Sequence, residues 1–362
     1  MTIEIEVSGE RYTQFTSAVV SLRLDALSNT FDFQATSQNG EPLPFVGGEA
    51  CKIIIDGENV LTGFIEIVEV NYSSNSHDIS IVGRDKTGDF LDSTLDNISD
   101  INAPITLKEI IERVISELSL NIEVIDNLNP ESFNQAEDII SPEPGQNAFS
   151  FIEQYSRKRQ ALLSSNGDGN IVITQSSGNF IDAPLRHVIG SNDNNIINGN
   201  VSYDTTGRYN IYKFRSSLNT VALNFAGATP ISSVVDQKGE IRDDEIRIGR
   251  QLILISEEAF SDSQNETRSQ WEANIRRSRG RVYSVVVDGF RNATQALWNV
   301  NTVVSVIDDF SRIDARMLIN TVTFNFDLDS GSTTTLGLVD ENAYTLILSE
   351  PQTQRIGNGL FG

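Results

Sequence analysis

Alternating apolar and polar positions predict β-structure in the first hundred residues. Ile3, Ile5 and Val7 alternate with polar neighbours, which is the pattern of a half-buried strand. Asp56-Gly57, between two apolar runs, is typical of a tight hairpin turn. The pattern predicts roughly six strands and, after them, a short helix or turn: Thr2–Val7, Ser17–Asp25, Thr30–Thr36, Lys52–Ile55, Val60–Val70, Asp78–Gly83 and then Thr87–Leu91.

After Pro104 the apolar residues recur at steps of three and four. This spacing predicts a helix over Ile105–Leu118, opened by the capping-box pair Thr106 and Glu109. A second helix is predicted over Asn147–Arg159. Three short strands are predicted around these helices, at Ile122–Ile125, Ala161–Ser164 and Ile171–Thr174. The sequence therefore predicts an inserted α+β domain over residues 101–200.

Strand patterns return after Asn198. A helix over Ser261–Arg281 and a polar stretch over Val235–Arg250 interrupt them. The predicted strands are Gly199–Asp204, Arg208–Phe214, Val221–Phe225, Leu252–Ile255, Val282–Val287, Thr302–Ile307, Met317–Leu328 and Ser332–Leu338. We interpret 201–350 as a second β-barrel domain with a helical insertion near 235–281, and 351–362 as a flexible, Gly-rich tail.

The predicted fold class is mainly β with α+β insertions. A chain of 362 residues is long enough for two to four domains, here two antiparallel barrels of similar size (1–100 and 201–350) and one α+β domain. No apolar run is long enough to span a membrane, and the N-terminus lacks the pattern of a signal peptide. The one cysteine, Cys51, excludes an intrachain disulfide, fits a reducing compartment and is expected to be buried.

The chain is strongly acidic, with 27 Lys/Arg, 50 Asp/Glu and a formal net charge of −23. Residues 1–100 alone carry 17 acidic and 5 basic side chains. Tight nucleic-acid binding needs a basic surface, so this balance argues against it. The composition fits a surface that repels DNA, and it equally fits ordinary acidic solubility.

No catalytic, cofactor or metal constellation is evident. His77 and His187 have no neighbouring ligand residue at zinc spacing. Gly83–Gly88 has the glycine spacing of a phosphate-binding loop, but its lysine and threonine precede the second glycine. Adjacent carboxylates such as Asp308-Asp309 and Asp243-Asp244 could serve a glycoside hydrolase, yet neighbouring side chains on a strand point to opposite faces.

A specific motif follows the sixth predicted strand: Gly83-Arg84-Asp85-Lys86-Thr87-Gly88-Asp89-Phe90-Leu91-Asp92. With it, the chain resembles the baseplate hub proteins of Mu-like contractile-tail phages. That family includes the late-control D proteins and is similar in fold to the central hub of larger contractile phages. The resemblance extends over most of the chain in the order of its elements, but this stretch alone is motif-specific.

The resemblance implies a homotrimer in which each chain contributes two barrels to a pseudo-sixfold ring. Such a ring joins the sixfold tail tube protein to the threefold central spike protein and meets other baseplate proteins. DNA would pass through its lumen without specific binding, and an acidic wall would keep the DNA from sticking. The implied location is the tail baseplate of the virion, assembled in the host cytoplasm, with no enzymatic activity and no cofactor.

Charged residues of the motif are candidates for ion pairs. Arg84 and Lys86 are expected to pair with Asp85, Asp89 or Asp92, or with carboxylates of a neighbouring subunit. The arginines of the Ser261–Arg281 helix fit a contact with an acidic partner and equally fit a solvated helix face. The candidate subunit-interface residues are Arg84, Lys86, Asp89, Asp92, Arg276, Arg277 and Arg279.

Two alternative functions stay open at this point. One is the hub of a tailocin or of a secretion-type injection machine, which would have the same fold. The other is a polysaccharide or cell-wall hydrolase that uses paired carboxylates.

Overall fold

The computed structural model describes residues 1–36, 46–73, 77–96, 98, 101–134, 141–176, 178–216, 237–256 and 262–344. More of these residues are in strands than in helices. In chain order the strands are β1 (Ile3–Val7), β2 (Glu10–Tyr12), β3 (Ser17–Arg23), β4 (Thr30–Thr36), β5 (Ala50–Ile55), β6 (Glu58–Tyr72), β7 (His77–Asp85), β8 (Val124–Asp126), β9 (Leu162–Ser165), β10 (Ile171–Thr174), β11 (Leu185–His187), β12 (Ile196–Tyr203), β13 (Ile211–Ser216), β14 (Gln237–Arg242), β15 (Gln251–Ser256), β16 (Arg281–Asp288), β17 (Thr302–Asp308), β18 (Ile313–Asp327) and β19 (Gly331–Asp340).

Four helices lie between these strands. They are α1 (Thr87–Asp92), α2 (Leu107–Glu117), α3 (Ala148–Lys158) and α4 (Asp262–Gly280). The mainly β, multi-domain class with α+β material that the sequence predicted is confirmed. No helix within the described ranges is long and apolar enough to cross a membrane.

One large sheet joins strands from both ends of the chain. Its order is β12-β16-β19-β18-β3-β4-β7-β6-β5-β1-β2, and β17 pairs with both β18 and β11. The link between the two ends is the antiparallel pairing of β3 with β18, from Thr321 opposite Arg23 to Asp327 opposite Ser17. The two predicted β-rich regions, 1–100 and 201–350, therefore share hydrogen-bonded neighbours.

Among the described residues, an apolar core lies beneath this sheet. Phe31 and Phe33 of β4 and Phe324 of β18 are at most 2% exposed and belong to the same cluster of buried side chains. The alternation that predicted the strands is visible in their burial, because in β1 every second residue is buried.

Two local predictions are confirmed in detail. Asp56 and Gly57 both have positive φ, 47° and 84°, and connect β5 to β6 as a two-residue hairpin loop. That geometry fits the type I′ turn that an Asp-Gly pair favours. At α2, the Thr106 side chain accepts from the Glu109 backbone N–H while the Glu109 carboxylate accepts from the Thr106 N–H, which is a complete capping box.

Residues 87–175 form the α+β part. Strands β8, β10 and β9 make a three-stranded sheet, with β8 and β10 parallel. Helices α2 and α3 bury their apolar faces in a second core that also contains Phe90 of α1. Phe151 and Tyr155 of α3 pack edge to face, with 5.2 Å between ring centroids.

By contacts the chain forms two compact units, Met1–Ser202 with Val282–Asn342 (the sheet unit) and Tyr203–Arg281 with Ala343–Gly362 (the arginine-rich unit). In the arginine-rich unit, β14, β13 and β15 form a sheet, in which β15 runs parallel to β13 at the edge. Helix α4 packs on β13 and β14. These units are not the domains that the sequence predicted, which have boundaries at residues 100 and 200. The domain boundaries therefore stay a prediction.

Several elements differ from the prediction. Strands β2, β11 and β14 were not predicted, and β14 lies inside the stretch Val235–Arg250 that was interpreted as polar. Each is short, three to six residues, and β14 has the sequence QKGEIR, which lacks apolar alternation. The predicted strand Val221–Phe225 and the tail 351–362 lie outside the described residues.

Cys51 is buried as expected, at 2% exposure, and burial raises the pKa of its thiol to about 12. We expect it not to react with a thiol reagent such as DTNB at pH 8 in the native protein. With a pKa of about 12 the thiolate fraction at that pH is on the order of one in ten thousand, far below that of an ordinary free cysteine.

The reagent should label one thiol per chain once guanidinium unfolds the protein, which provides the control. Fast stoichiometric labelling in native buffer would show that β5 does not lie in the core.

Candidate functional site

The motif that gave the resemblance lies where β7 ends and α1 begins. Here the backbones of β6 and β7 approach so closely that only glycine fits. A Cβ on Gly63 would lie 1.9 Å from the Arg84 carbonyl oxygen, and a Cβ on Gly83 would lie 2.2 Å from the Phe64 carbonyl oxygen. Both distances are far below van der Waals contact. The glycines therefore allow the motif to sit tightly against β6.

Asp85 is the centre of the motif and is 1% exposed. One carboxylate oxygen, Oδ1, accepts from Ser28 Oγ at 3.0 Å and from Thr87 N and Oγ1 at 3.2 and 2.5 Å. The other, Oδ2, accepts from Asn29 N at 2.9 Å and from Ser165 Oγ. The carboxylate thus joins three separate segments of the chain: the β3–β4 connection, the start of α1, and β9.

Burial raises the pKa of the Asp85 carboxyl, because a charge far from water is disfavoured. The hydrogen bonds from Ser165, Thr87, Asn29 and Ser28 oppose this rise. A buried carboxylate with five donor groups is a satisfied structural group.

Arg84 points the other way, into a partly exposed ion-pair cluster. Its Nε donates to Glu66 Oε1 at 2.7 Å, and its Nη2 also pairs with Asp92 Oδ2. The hydrogen bonds that Arg84 donates to Asp92 and, second in effect, to Glu66 raise the pKa of the guanidinium, and the bond from Arg84 lowers the pKa of Asp92. The predicted pairing of Arg84 with Asp92 is therefore observed, with Glu66 as a partner that the sequence did not indicate.

Lys86 and Asp89 behave differently from Arg84. Lys86 Nζ donates to Asn121 O at 3.3 Å and to Asn170 Oδ1 at 3.4 Å, so its observed partners are amide oxygens and not the motif carboxylates. Asp89 is exposed, and its pKa is raised by desolvation and by the nearby charges of Glu66 and Asp92. Asp89 is thus a carboxylate crowded by like charge at the surface.

The remaining predicted interface residues lie in the last turns of α4. Arg276 Nε pairs with Glu272 Oε1 at 2.5 Å and its Nη1 donates to Gly207 O at 3.2 Å. Arg277 pairs with Glu245. Arg279 is exposed, and no ion pair to it is found among the described residues. Arg276 and Arg277 are therefore engaged within the chain, whereas Arg279 faces solvent.

A buried ion pair, which sequence analysis missed, holds the same end of the arginine-rich unit together. Arg208, 8% exposed at its side chain, contacts Asp243 Oδ2 at 2.6 Å and Glu245 Oε2 at 2.7 Å. Burial would lower the pKa of Arg208, but the bonds to Glu245 and Asp243 raise it overall. No local signal in the sequence connects residues 35 positions apart.

Three segments meet at this place: the turn 204–208, the loop 243–250 and the last turn of α4. Arg250 donates to the carbonyl oxygens of Thr205 at 2.8 Å and Thr206 at 2.5 Å, and its guanidinium lies 5.3 Å from the Tyr209 ring. We call this region the arginine end. It contains Arg208, Arg247, Arg250, Arg276, Arg277, Arg279 and Arg281, together with the carboxylates Asp204, Asp243, Asp244, Glu245 and Glu272.

His187 lies in β11, beside β17. Its Nδ1 is 3.2 Å from Asp308 Oδ1, and the hydroxyl of buried Tyr283 donates to Asp308 Oδ2. Asp308 is 3% exposed, and although burial opposes it, the hydrogen bonds led by Tyr283 lower its pKa.

The adjacent carboxylates do not form a pair that faces a common space. Asp308 is enclosed by Tyr283 and His187, while Asp309 Oδ2 accepts from the Ile189 N–H at 3.0 Å. Asp243 is buried against Arg208, whereas Asp244 is exposed. In the part of the chain that the structure describes, no group of three His, Cys, Asp or Glu side chains is placed to hold a metal ion.

Asp85→Asn is expected to lower the free energy of unfolding by about 1–3 kcal/mol. The backbone N–H groups of Asn29 and Thr87 point at different carboxylate oxygens. Whichever way the asparagine amide is turned, its NH₂ group meets one of these donors. Chemical denaturation measures the loss, and Asp89→Asn, at an exposed and crowded carboxylate, is the matched control that should not destabilise. Equal stability of the two variants would show that the five donors do not require a carboxylate.

Arg208→Met keeps the apolar stem and removes the charge, which leaves Asp243 buried without its partner. We expect a loss of about 3–5 kcal/mol, the range for one member of a buried pair. Hydrogen exchange of the backbone amides in β13 and β15 measures this loss of stability within the arginine-rich unit. Arg242→Met is the control, because Arg242 is 64% exposed and its pair with Glu240 should contribute less than about 1 kcal/mol. A similar small effect for both variants would contradict a structural role for the buried pair.

Three family models match separate parts of the chain, in the order of the domains that they describe. Residues 2–85 match the N-terminal domain of the Mu phage baseplate assembly protein GpP-like family. Residues 87–175 match the second domain of the baseplate hub protein gp44-like family, and residues 261–347 match the fourth domain of Mu phage baseplate assembly protein GpP. The first two matched ranges adjoin at the motif that contains Asp85.

Similarity to individual proteins extends over nearly the whole chain. Baseplate hub protein gp44 of Escherichia phage Mu is 20% identical over 98% of this chain and 92% of its own length. The 43 kDa tail protein of prophage MuSo2 from Shewanella oneidensis is 28% identical with a TM-score of 0.81, covering 95% of this chain and 100% of that protein. A tail protein from Neisseria meningitidis MC58 has a TM-score of 0.79 at 19% identity, over 95% and 97% of the two chains.

A more distant likeness, in fold alone, is to the E. coli c3393 protein, described as a component of the type VI secretion system. Its TM-score is 0.57 at 12% identity, over 93% of this chain and 76% of that protein. The three hub-domain matches, together with the similarity to a Mu hub protein over 98% of the chain, establish that this chain belongs to the family of Mu-like phage baseplate hub proteins.

Proposed function

We propose that this protein is the structural hub of a contractile-tail baseplate. Three copies form a ring that joins the sixfold tail tube to the threefold central spike, and DNA passes through the ring during ejection. The observation that carries the proposal is the order of the family matches: models of a first, a second and a fourth hub domain follow one another along the chain. The role is structural and not catalytic, within the virion after assembly in the host cytoplasm.

The two tube-forming regions in this proposal are residues 1–100 and the strands within 201–350. The pairing of β3 with β18 supports a contribution from both ends, because it makes strands from both regions neighbours in one sheet. The block 101–200 would lie on the outer or spike-proximal side.

The charge of the sheet unit supports a channel role. Residues 1–202 and 282–342 together contain 38 Asp/Glu and 14 Lys/Arg, a balance of −24. Three copies of such a surface around a lumen would repel DNA phosphates, so that DNA slides through without being retained.

The seven candidate interface residues remain part of the proposal, but we expect them to contribute unequally to a contact between subunits. Arg84, Asp92, Arg276 and Arg277 already pair within the chain, so at a subunit interface they would supply packing more than new ion pairs. Lys86 is half-buried on amide oxygens. Asp89 and Arg279 are exposed and are the best placed of the seven to meet a neighbouring copy.

The second candidate is the hub of a tailocin or secretion-type injection machine. It is supported by the likeness in fold to a type VI secretion component. The ring geometry would be the same, and only the cargo would differ.

The mass of the purified protein in solution tests the proposal. We expect light scattering to give about three times the 39.9 kDa chain mass, and negative-stain images to show rings with a central hole. If the chain stays a monomer over a wide concentration range, with the spike protein present as well as absent, the trimeric hub is wrong. A monomer that also degrades peptidoglycan would favour the hydrolase that the sequence left open.

A further inference from the structure

The strand at one edge of the sheet in the arginine-rich unit is apolar on both faces. Strand β15 pairs with β13, and within the described residues no strand pairs with its other side. Ile253 and Ile255 are 48% and 79% exposed, while Leu252 and Leu254, on the opposite face, are half-buried. A run that is apolar on both faces is typical of a strand covered on both sides and not of an edge strand.

The backbone of β15 also has hydrogen-bonding groups that point away from β13. The Ile211 N–H donates to Arg250 O, and the parallel register places Ile211 opposite Gln251. In a parallel pair each residue bonds the two neighbours of the residue opposite it, so the even-numbered residues of β15 turn their N–H and C=O groups toward β13. Ile253 and Ile255 therefore turn theirs toward the other side, where a further strand could pair.

The sequence of β15 does not oppose such pairing. It reads QLILIS, with no charged residue and no proline, although charges and prolines are the usual means by which edge strands avoid association. Where these are missing, natural proteins cover the edge with another part of the chain. We therefore expect the open side of β15 to be covered in the native protein.

The chain holds a segment of matching character directly after Tyr344, the last described residue. This segment, Thr345–Glu350, contains the triplet Leu346-Ile347-Leu348, which is the same as the triplet at 252–254 in β15. Its six residues equal β15 in length. Pro351 follows, and proline ends strand pairing because it has no N–H group.

Three observations connect this segment with the arginine-rich unit. By contacts, Ala343–Gly362 group with Tyr203–Arg281, which contain β15. The model of the fourth hub domain spans 261–347, so it includes both α4 and the first residues of the segment. Ala343 and Tyr344 are 1% and 6% exposed, so the chain enters the segment from a packed position.

We propose that Thr345–Glu350 pairs as a strand with the open side of β15 in the same chain. Its apolar triplet supplies side chains to both faces of the sheet, beside the half-buried leucines of β15 on one face and Ile253 and Ile255 on the other. The segment of the same chain is favoured over that of a second copy, because tethering gives it a higher effective concentration. This closure leaves assembly of the hub to other surfaces, and it does not depend on the proposed trimer.

Hydrogen exchange read at single backbone amides tests the pairing. In the full chain the amides of Ile253 and Ile255 should be protected. In a chain that stops after Tyr344 they should exchange at least about tenfold faster, because their acceptors are removed. A chain that stops after Glu350 is the matched control and should keep the protection, since it lacks only the tail.

A substitution makes the same test without shortening the chain. Ile347→Pro removes a donor and disrupts strand pairing, so it should accelerate exchange of the same two amides. Gln354→Pro, in the tail, is its control and should not. The amides of Leu252 and Leu254, which bond to β13, should stay protected in every variant, which shows that the sheet remains folded.

A cross-link identifies which segment covers the edge and which copy supplies it. Ile255→Cys and Ser349→Cys in one chain, treated with a flexible bis-maleimide, should give joined peptides and no covalent dimer. Ile255→Cys with Ala222→Cys, in the predicted strand between β13 and β14, is the control and should not react. Cys51 is buried and should not be labelled in any of these chains.

Each contrary outcome overturns the closure. Fast exchange of Ile253 and Ile255 in the full chain would show an open edge. Protection that survives removal of the segment, or a cross-link in the Ala222→Cys chain, would show that another segment covers the edge. Covalent dimers would show that the segment binds a second copy. None of these results changes the mass of the native assembly, so the proposed hub is tested separately.

Discussion

The antiparallel pairing of β3 with β18 is the constraint on which the sheet unit depends. It joins strands about 300 residues apart in a register of seven consecutive pairs, with the hydroxyls of Ser21 and Thr323 3.3 Å apart across it. Without it, both strands would present an open edge, and open edges of apolar strands promote aggregation. The segments 87–175 and 203–281 are excursions between the two paired ends. Closing a long loop costs only slightly more than closing a short one, so such insertions are compatible with a stable core.

The sequence predicts those parts of the fold that depend on local interactions. Strands with apolar alternation, the Asp56-Gly57 turn and the Thr106–Glu109 capping box depend on residues a few positions apart, and the sequence predicted them. The β3–β18 pairing depends on complementary edges far apart in the chain, which no local pattern encodes. Strand β14 was missed for another reason: its sequence is polar, and it is held by pairing with β13 and by packing of α4.

The same distinction applies to charges. The residue counts show a strongly acidic chain and an arginine-rich helix. They do not show which charged side chains are exposed and free to contact a partner. Arg208, before β13, and Arg277 of α4 pair with Asp243 and Glu245, so both cations serve contacts inside the unit. At the arginine end, Arg247 and Arg279 are exposed, and so are the carboxylates Asp204, Asp244 and Glu245. A surface of mixed charge does not attract DNA in general, because such attraction needs a basic surface.

The Asp85 motif explains why one short stretch was more specific than the rest of the chain. Most positions in a strand tolerate any residue of suitable size and polarity, so distant relatives share only the order of elements. At Asp85 the requirements are stricter: five donor groups converge on one buried carboxylate, and Gly63 and Gly83 leave no room for a Cβ. The donors come from the β3–β4 connection, α1 and β9, so the carboxylate fixes the α+β part on the large sheet. The motif is therefore specific because it is a structural junction, and its charged neighbours Arg84 and Asp89 are positioned by that junction at the surface.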